Sequence, residues 1–558
     1  MNAEMEMEKE NVPEQEAAEE KKPVRTPIDW KSNLYALMTG GCVFSLLAGI
    51  FIVLYYIWGP ARGEFHSDCT DTIFWAEAAM QGRGLINPDF GYAAVMPLGG
   101  NLFMQLWMPF FGVSMLTHSL GMTTFFAAFT AALYWLLCEL KWSMNWRCIS
   151  IGGLLAALCA GEKIREIFWG HIIYYSLGML FLLLGLSLVL HIYNLYDKKA
   201  KGNVLLYLLL LLVLFTLCCT NSTTAIALFA LPIMGALFCE RFLDHTVKLT
   251  EKKNLLGGVM LFLCGIGMIA GMMLGTLLAG GMTGSYANAH SRFSEADSWW
   301  SHLEGLPLAF LKLTGLNADT SEALMSLSGI HTIVLIFYTA MIAVIPVAAL
   351  VSYRKIPDTG FRLLIWAHFV SAALILVGYI CGMLYTANWR LSPLIVTGFL
   401  VSMSFLRLLW QKRESRRVSL LLLLPVGYYC LQSAMGVVSL PVNNHLENDS
   451  YLLAQYLQEE GLSYGYATFW NSQAITLQSD SACKVRTVRI DETGVSENTY
   501  QSNIHWFEDQ PEQEEYFLLM SASEERLMMR SDSPLLEKIS RELNYEGYAI
   551  WIFEENLF

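Results

Sequence analysis

Residues 65–85 read FHSDCTDTIFWAEAAMQGRGL and follow directly on an apolar run at 34–57. That run has the length needed to cross the hydrocarbon core of a bilayer, about 20 mostly apolar residues. The stretch after it therefore reads as the first aqueous loop of a chain threaded through a membrane. It sets two carboxylates, Asp68 and Asp71, just beyond the span, and its spacing predicts a helix starting near Thr70 that lies along the membrane surface with its acidic end exposed.

The rest of the chain repeats the pattern. With 558 residues and 54% hydrophobic content, it holds more long apolar runs than one soluble core can absorb. Runs at 121–138, 147–161, 172–193, 204–220, 224–239, 255–280, 330–352, 363–386, 391–410 and 417–440 bring the total to about eleven spans. The expected fold class is mainly α, a polytopic membrane protein with interfacial helices in its external loops and a small α/β domain at the C-terminal end. Its divisions are a disordered acidic tail at 1–30, a membrane region at 31–440 and a polar domain at 441–558.

Basic residues orient it. Lys141 and Arg147; Lys198, Lys199 and Lys201; Arg241, Lys248, Lys252 and Lys253; Arg354, Lys355 and Arg362; and Lys412, Arg413, Arg416 and Arg417 fall in alternate loops. Loops rich in Lys and Arg stay in the cytoplasm. An integral plasma membrane protein with a cytoplasmic N-terminus is expected, in which 58–120, 162–171, 281–329, 387–390 and everything after 441 are extracytoplasmic. Segments 101–119 and 299–313 are apolar, but a span at 101–119 would invert every later loop. Both are expected to lie flat on the outer surface, the alternative being half-inserted or spanning helices.

Residues 443–558 carry 21 Asp and Glu against 7 Lys and Arg, which largely accounts for the net charge of -13 and argues against a nucleic-acid partner. In this domain 449–460 and 533–543 pattern as helices, and 463–472, 482–490 and 514–521 as strands. Of twelve cysteines, only Cys69 and Cys483 fall clearly outside the membrane, which leaves one bridge open and no disulfide framework. No P-loop or dinucleotide-binding glycine pattern is present.

The ionisable groups gather on one side. The second external loop, GEKIREIFWGHIIYYSLG at 161–178, places Glu162 and Glu166 on one helix face, with His171 about a turn further on. Asp68, Glu162, Glu166 and His171 are candidate ligands for a divalent metal, Mg or Mn, and Asp71 or Asp68 a candidate general base. Arg165, Arg292 and Arg390 are candidate phosphate grips, a task suited to a planar guanidinium. Each has a plainer reading: solvated pairs of Glu162 with Lys163 and of Arg165 with Glu166, a helix cap for Asp71, a snorkelling His171, and an anchor between spans for Arg390 in ANWRLSP at 387–393.

One span, then an external loop of the form D-x-x-D-T-I-x-W-A-E-A at 68–78, a second acidic external loop, many spans and an external C-terminal domain resemble the GT-C superfamily. These are polytopic glycosyltransferases that include protein mannosyltransferases, lipid A aminoarabinose transferases and bacterial oligosaccharyltransferases. The resemblance covers about 30–440. It implies transfer of a sugar from a polyprenyl-phosphate-linked donor to a cell-envelope glycan, lipid or protein acceptor at the external face. The first-loop acid of that superfamily, catalytic or metal-contacting, maps onto Asp68 or Asp71, and the second-loop acids onto Glu162 or Glu166. The chain departs from the pattern in its i,i+3 spacing and in lacking an Asp-x-Asp string. A transporter or lipid flippase is the rival class, and His368 is the one candidate mid-span ionisable group for it. A non-catalytic scaffold of the same fold is the third, with Tyr464, Tyr466, Phe469, Trp470 and Trp506 either stacking on sugars or serving as core.

Overall fold

The computed structural model describes residues 30–243, 252–282, 284, 292–316, 323–383 and 387–558. The acidic tail expected at 1–30 lies, except for Trp30, outside the described residues. The chain divides into two compact units, 1–41 and 42–558, and the second holds the helical bundle from Cys42 onward together with the polar domain.

Among the described residues, ten helices are long and apolar enough to cross a membrane, eleven if one sharply bent pair counts as a span. Beyond α1 (Trp30–Trp58) comes the short helix α2 (Asp71–Gln81). The long helices then run α3 (Met115–Glu139), α4 (Met144–Ala157), α5 (Tyr174–Asp197), α6 (Lys201–Cys218) and α7 (Leu231–Phe242). After them come α8 (Lys252–Leu278), α9 (Trp299–Leu313), α10 (Leu327–Val351), α11 (Thr359–Cys381), α12 (Ser392–Gln411) and α13 (Arg416–Val438). A continuous apolar run of this length has few ways to satisfy its backbone in lipid other than a helix, so the predicted runs and these helices coincide closely. The bent pair is α4 with Glu162–Gly170, which turn by 115° between them. That bend turns the charged segment away from the line of α4, and its Phe168 and Trp169 pack against Phe126 and Phe129 of α3.

Segment 101–119 corrects an expectation. Instead of one surface helix there are two short ones, Asn101–Gln105 and Met108–Phe111, and residues from Met115 onward already belong to α3. Pro109 sits in the first turn of the second piece, and Gly112 takes φ +62, which only glycine adopts freely. Ser114 then accepts a hydrogen bond from the Thr117 amide and caps α3. Segment 299–313 forms the single helix α9, despite Pro307 within it.

The C-terminal part holds a six-stranded sheet in the order β3-β2-β1-β4-β6-β5. Central β1 (Tyr464–Ala467) runs parallel to β2 (Lys484–Asp491) and β4 (Tyr516–Ser521). Strands β3 (Gly494–Glu497), β5 (Arg541–Tyr545) and β6 (Tyr548–Phe553) pair antiparallel. The helix expected at 533–543 is not there: a short turn, Pro534–Lys538, leads into β5. Glu546 and Gly547, both at positive φ, close a two-residue hairpin between Tyr545 and Tyr548, and strand pairing overrides the helical spacing of the apolar residues. Helix α14 (Asp449–Glu459) forms as the pattern predicts.

This sheet docks on the end of the bundle where α1 finishes. Gln478 accepts from the Arg62 guanidinium at 2.9 Å and returns a bond to the Arg62 carbonyl at 2.9 Å, while Asn448 donates to the carbonyls of Gly63 and Phe65. All twelve cysteines are free, so Cys69 and Cys483 are not bridged.

Candidate functional site

The two acidic loops meet. A cavity of about 400 Å³ at the sheet-bearing end of the bundle is lined by Asp68 and Asp71 from the first loop, Lys163, Glu166 and His171 from the second, and Arg390 ahead of α12. Residues from the starts of α5 and of the helical stretch Thr223–Phe242 complete its wall, together with Tyr500 from the C-terminal domain.

The first loop builds its wall by a tight turn. Ser67–Thr70 form a 3-10 turn whose Thr70 hydroxyl donates to the Ser67 carbonyl at 2.6 Å, and α2 starts at Asp71. Thr70 holds the cap position and Asp71 makes no capping bond, so the plain reading of Asp71 as a helix cap does not describe it. The acidic end of the helix was expected to be exposed; instead Asp71 is 7% exposed and its Oδ1 has no hydrogen-bond partner among the described residues. Closure by the C-terminal domain, invisible in a local reading of 65–85, buries it. Burial and then the neighbouring Asp68 carboxylate push the Asp71 carboxyl well above its ordinary range.

The second loop does the opposite. Glu166–Gly170 form a single π-helical turn, with the His171 amide bonding to the Glu166 carbonyl at 3.1 Å. The wider turn brings His171 Nε2 to 3.7 Å from Glu166 Oε1, while Lys163 Nζ stands 2.5 Å and His66 Nε2 3.3 Å from Glu166 Oε2. Burial alone would lift the Glu166 carboxyl, but hydrogen bonds from His171 and His66 outweigh it and hold the group below its usual value. The Lys163 ammonium also lies 4.9 Å from the centre of the Trp389 ring, next to Arg390.

The remaining candidates lie elsewhere. Arg165 is buried in a two-pronged pair with Glu64, at 2.5 and 3.2 Å, and its third nitrogen bonds to the Cys159 carbonyl. Its donors are spent on holding the second loop to the end of α1 and do not line the cavity. Glu162 and Arg292 are exposed and also do not line it. The pairs expected from sequence, Glu162 with Lys163 and Arg165 with Glu166, are replaced by Lys163 with Glu166 and Arg165 with Glu64.

Among the described residues, no group of three or more His, Cys, Asp and Glu side chains is placed to hold a metal ion. The set Asp68, Glu162, Glu166 and His171 does not close on one point, because Glu162 faces away and Glu166 is already engaged by three nitrogens. His368, the one mid-span candidate, bonds to Thr397 of the adjacent helix α12 at 2.8 Å, a structural role. Tyr464, Tyr466 and Trp506 are core, whereas Trp470 is 61% exposed beside His66.

Sequence reasoning missed His66, Lys163 and Tyr500. A histidine beside the acid pair was a usable signal for the first; nothing local marks Tyr500, which reaches the cavity only through domain docking. A second cavity, of about 660 Å³ and almost wholly apolar, opens between α3, α5 and α6 and is walled at one side by Leu98, Leu102, Phe103 and Leu106. Between the two, the Asn221 side chain accepts from the Leu98 amide at 3.1 Å and donates to the Leu98 carbonyl at 2.9 Å.

No protein-family model matches the sequence, and no curated protein matches it. Among solved structures, the chain is similar to the oligosaccharyltransferase of Archaeoglobus fulgidus. In the crystal structure with Zn and sulfate the TM-score is 0.45 at 12% identity, covering 78% of this chain and 62% of that one. For the apo form the values are 0.45, 11%, 80% and 64%, and for the form tethered to an acceptor peptide containing the NVT sequon 0.42, 10%, 91% and 74%. The chain thus spans less than two thirds of the first two relatives.

Proposed function

We propose that the protein is a membrane glycosyltransferase that moves a sugar from a polyprenyl-phosphate-linked donor to a cell-envelope acceptor. The observation that carries this reading is the meeting of Asp71, Glu166 and Arg390 on one cavity, beside an apolar cavity within the membrane region. The positive charge of the alternate loops supports an extracytoplasmic cavity and a cytoplasmic N-terminus.

In this reading the isoprenoid tail lies in the apolar cavity past the Asn221–Leu98 contact, and the sugar phosphate enters the polar one. Arg390, with Lys163 steadied by Glu166 and Trp389, holds the phosphate. As the sugar–phosphate bond breaks, the electron pair leaves with the phosphate and positive charge builds on the ring, which nearby carboxylates stabilise. The acceptor nucleophile bonds to the sugar carbon and gives its proton to Asp71, whose raised affinity for protons makes it a stronger base than an ordinary aspartate. Asp68, from the turn just before α2, lines the same cavity and adds its negative charge beside that carboxylate.

Proteoliposomes holding the protein and a panel of labelled undecaprenyl-phosphate hexoses test the reading. Sugar should leave the carrier, and Asp71→Asn should abolish its release while the protein still folds. Uptake of donor without bond cleavage would establish the transporter or flippase class instead; neither cleavage nor uptake would leave a scaffold.

A further inference from the structure

The C-terminal domain reaches into the cavity with one strand-like segment, 500–504. Its main chain pairs with the first loop: the Gly91 amide donates to the Ser502 carbonyl at 2.9 Å, the Gln501 amide to the Gly91 carbonyl at 2.7 Å, and the Ile504 amide to the Asp89 carbonyl at 3.0 Å. A Cβ on Gly91 would collide with the Thr499 carbonyl, so only glycine lets the segment come so close. Tyr500 lines the cavity. Gln501, next to it, is fully buried and held at φ +55, a conformation that costs a non-glycine residue energy.

The amide of Gln501 is oriented. The Trp75 indole N–H donates to Gln501 Oε1 at 2.7 Å, and Gln473 donates to the Gln501 carbonyl. With the oxygen thus taken, the Nε2 end is buried and has no hydrogen-bond partner of its own among the described residues. Trp75 is one turn after Asp71 on α2, and the Asp71 Oδ1 is likewise buried and unpartnered. Trp75 thus ties Gln501 to the same face of α2 that carries Asp71, and a buried donor and a buried acceptor left open on that face are costly unless they serve each other or a ligand.

We propose that Gln501 is a positioning residue for Asp71, donated by the external domain, and that this domain is thereby part of the reaction centre. Aimed by Trp75, the Gln501 amide steers the Asp71 carboxylate and favours its ionised form, countering burial and Asp68. The other titratable or charged groups facing Asp71 are His66 on its own loop, Lys163, Glu166 and His171 from the second loop, Tyr174 and Tyr175 of α5, Arg390, and Tyr500.

The role of the residue rests on the proposed function; the contact does not, and one measurement separates them. Dicyclohexylcarbodiimide attacks protonated buried carboxyls, so the pH at which labelling of the Asp71 peptide falls by half reports its titration without any substrate. In the full-length protein in detergent, Gln501→Met keeps the volume and removes the donor, and the midpoint should move to higher pH. Trp75→Phe, which frees the amide to turn, should move it the same way by less. An unmoved midpoint in a folded variant of either kind overturns the contact. In the transfer assay, Gln501→Met should shift the acid limb of the pH–rate profile upward; a shifted labelling midpoint with no transfer in the wild type would sink the enzymatic reading and leave the contact standing.

Discussion

Two carboxylates line one cavity and live under opposite conditions. Glu166, in the second loop, has nitrogens of Lys163, His66 and His171 around it and is held ionised. Asp71, in the first, has a burying wall, an acidic neighbour and an unpartnered oxygen, and holds its proton more tightly. A group already neutralised by cations is a poor acceptor of further protons; one starved of them is a good one. The pair is therefore set apart by environment, although both are carboxylates in acidic loops on one cavity.

The division is broken most completely by Asp71→Asn, which should cost about 10²- to 10⁴-fold in sugar transfer, the usual worth of a positioned base, with the thermal unfolding temperature held or raised because a buried acid is replaced by a neutral amide. Glu166→Gln strikes the other side: it strands Lys163 near an uncharged amide and should lower stability by about 2 kcal/mol, the scale of a hydrogen bond to a charged group, read by denaturation in detergent.

The pH profile sharpens the contrast. Because the Asp71 carboxyl is raised, and transfer needs it ionised, activity should fall with acid at a midpoint above the ordinary aspartate range. Asp68→Asn removes the like charge and should move that midpoint to lower pH; a shift upward would contradict the assignment. The smallest effect is expected far from either acid. Ala131→Phe, which narrows the apolar cavity, should raise the donor KM several-fold and leave kcat unchanged.

The membrane spans were legible in the sequence because lipid admits almost one backbone solution for a long apolar run, and the basic loops gave an expected parity. Asp68, Asp71, Glu166, His171 and Arg390 were nameable because charge is scarce at span ends and so stands out. The features that escaped depend on distant contacts. Arg165 is absorbed by Glu64, about a hundred residues earlier, and the burial of Asp71 is imposed by a domain some 400 residues later, which no loop-level pattern carries. Likewise 533–543 has helical spacing, but the Glu546–Gly547 turn and the waiting edge of β6 draw its second half into a strand.

The Asn221 amide clasps both backbone groups of Leu98 at the seam between an oily chamber and a wet one. Two bonds in opposite directions tie the chain at Leu98, on the wall of the oily chamber, to the segment just before Thr223, on the wall of the wet one. Under the proposed transfer, carrier and product would leave by different chambers, the carrier through the oily one and the product through the wet one.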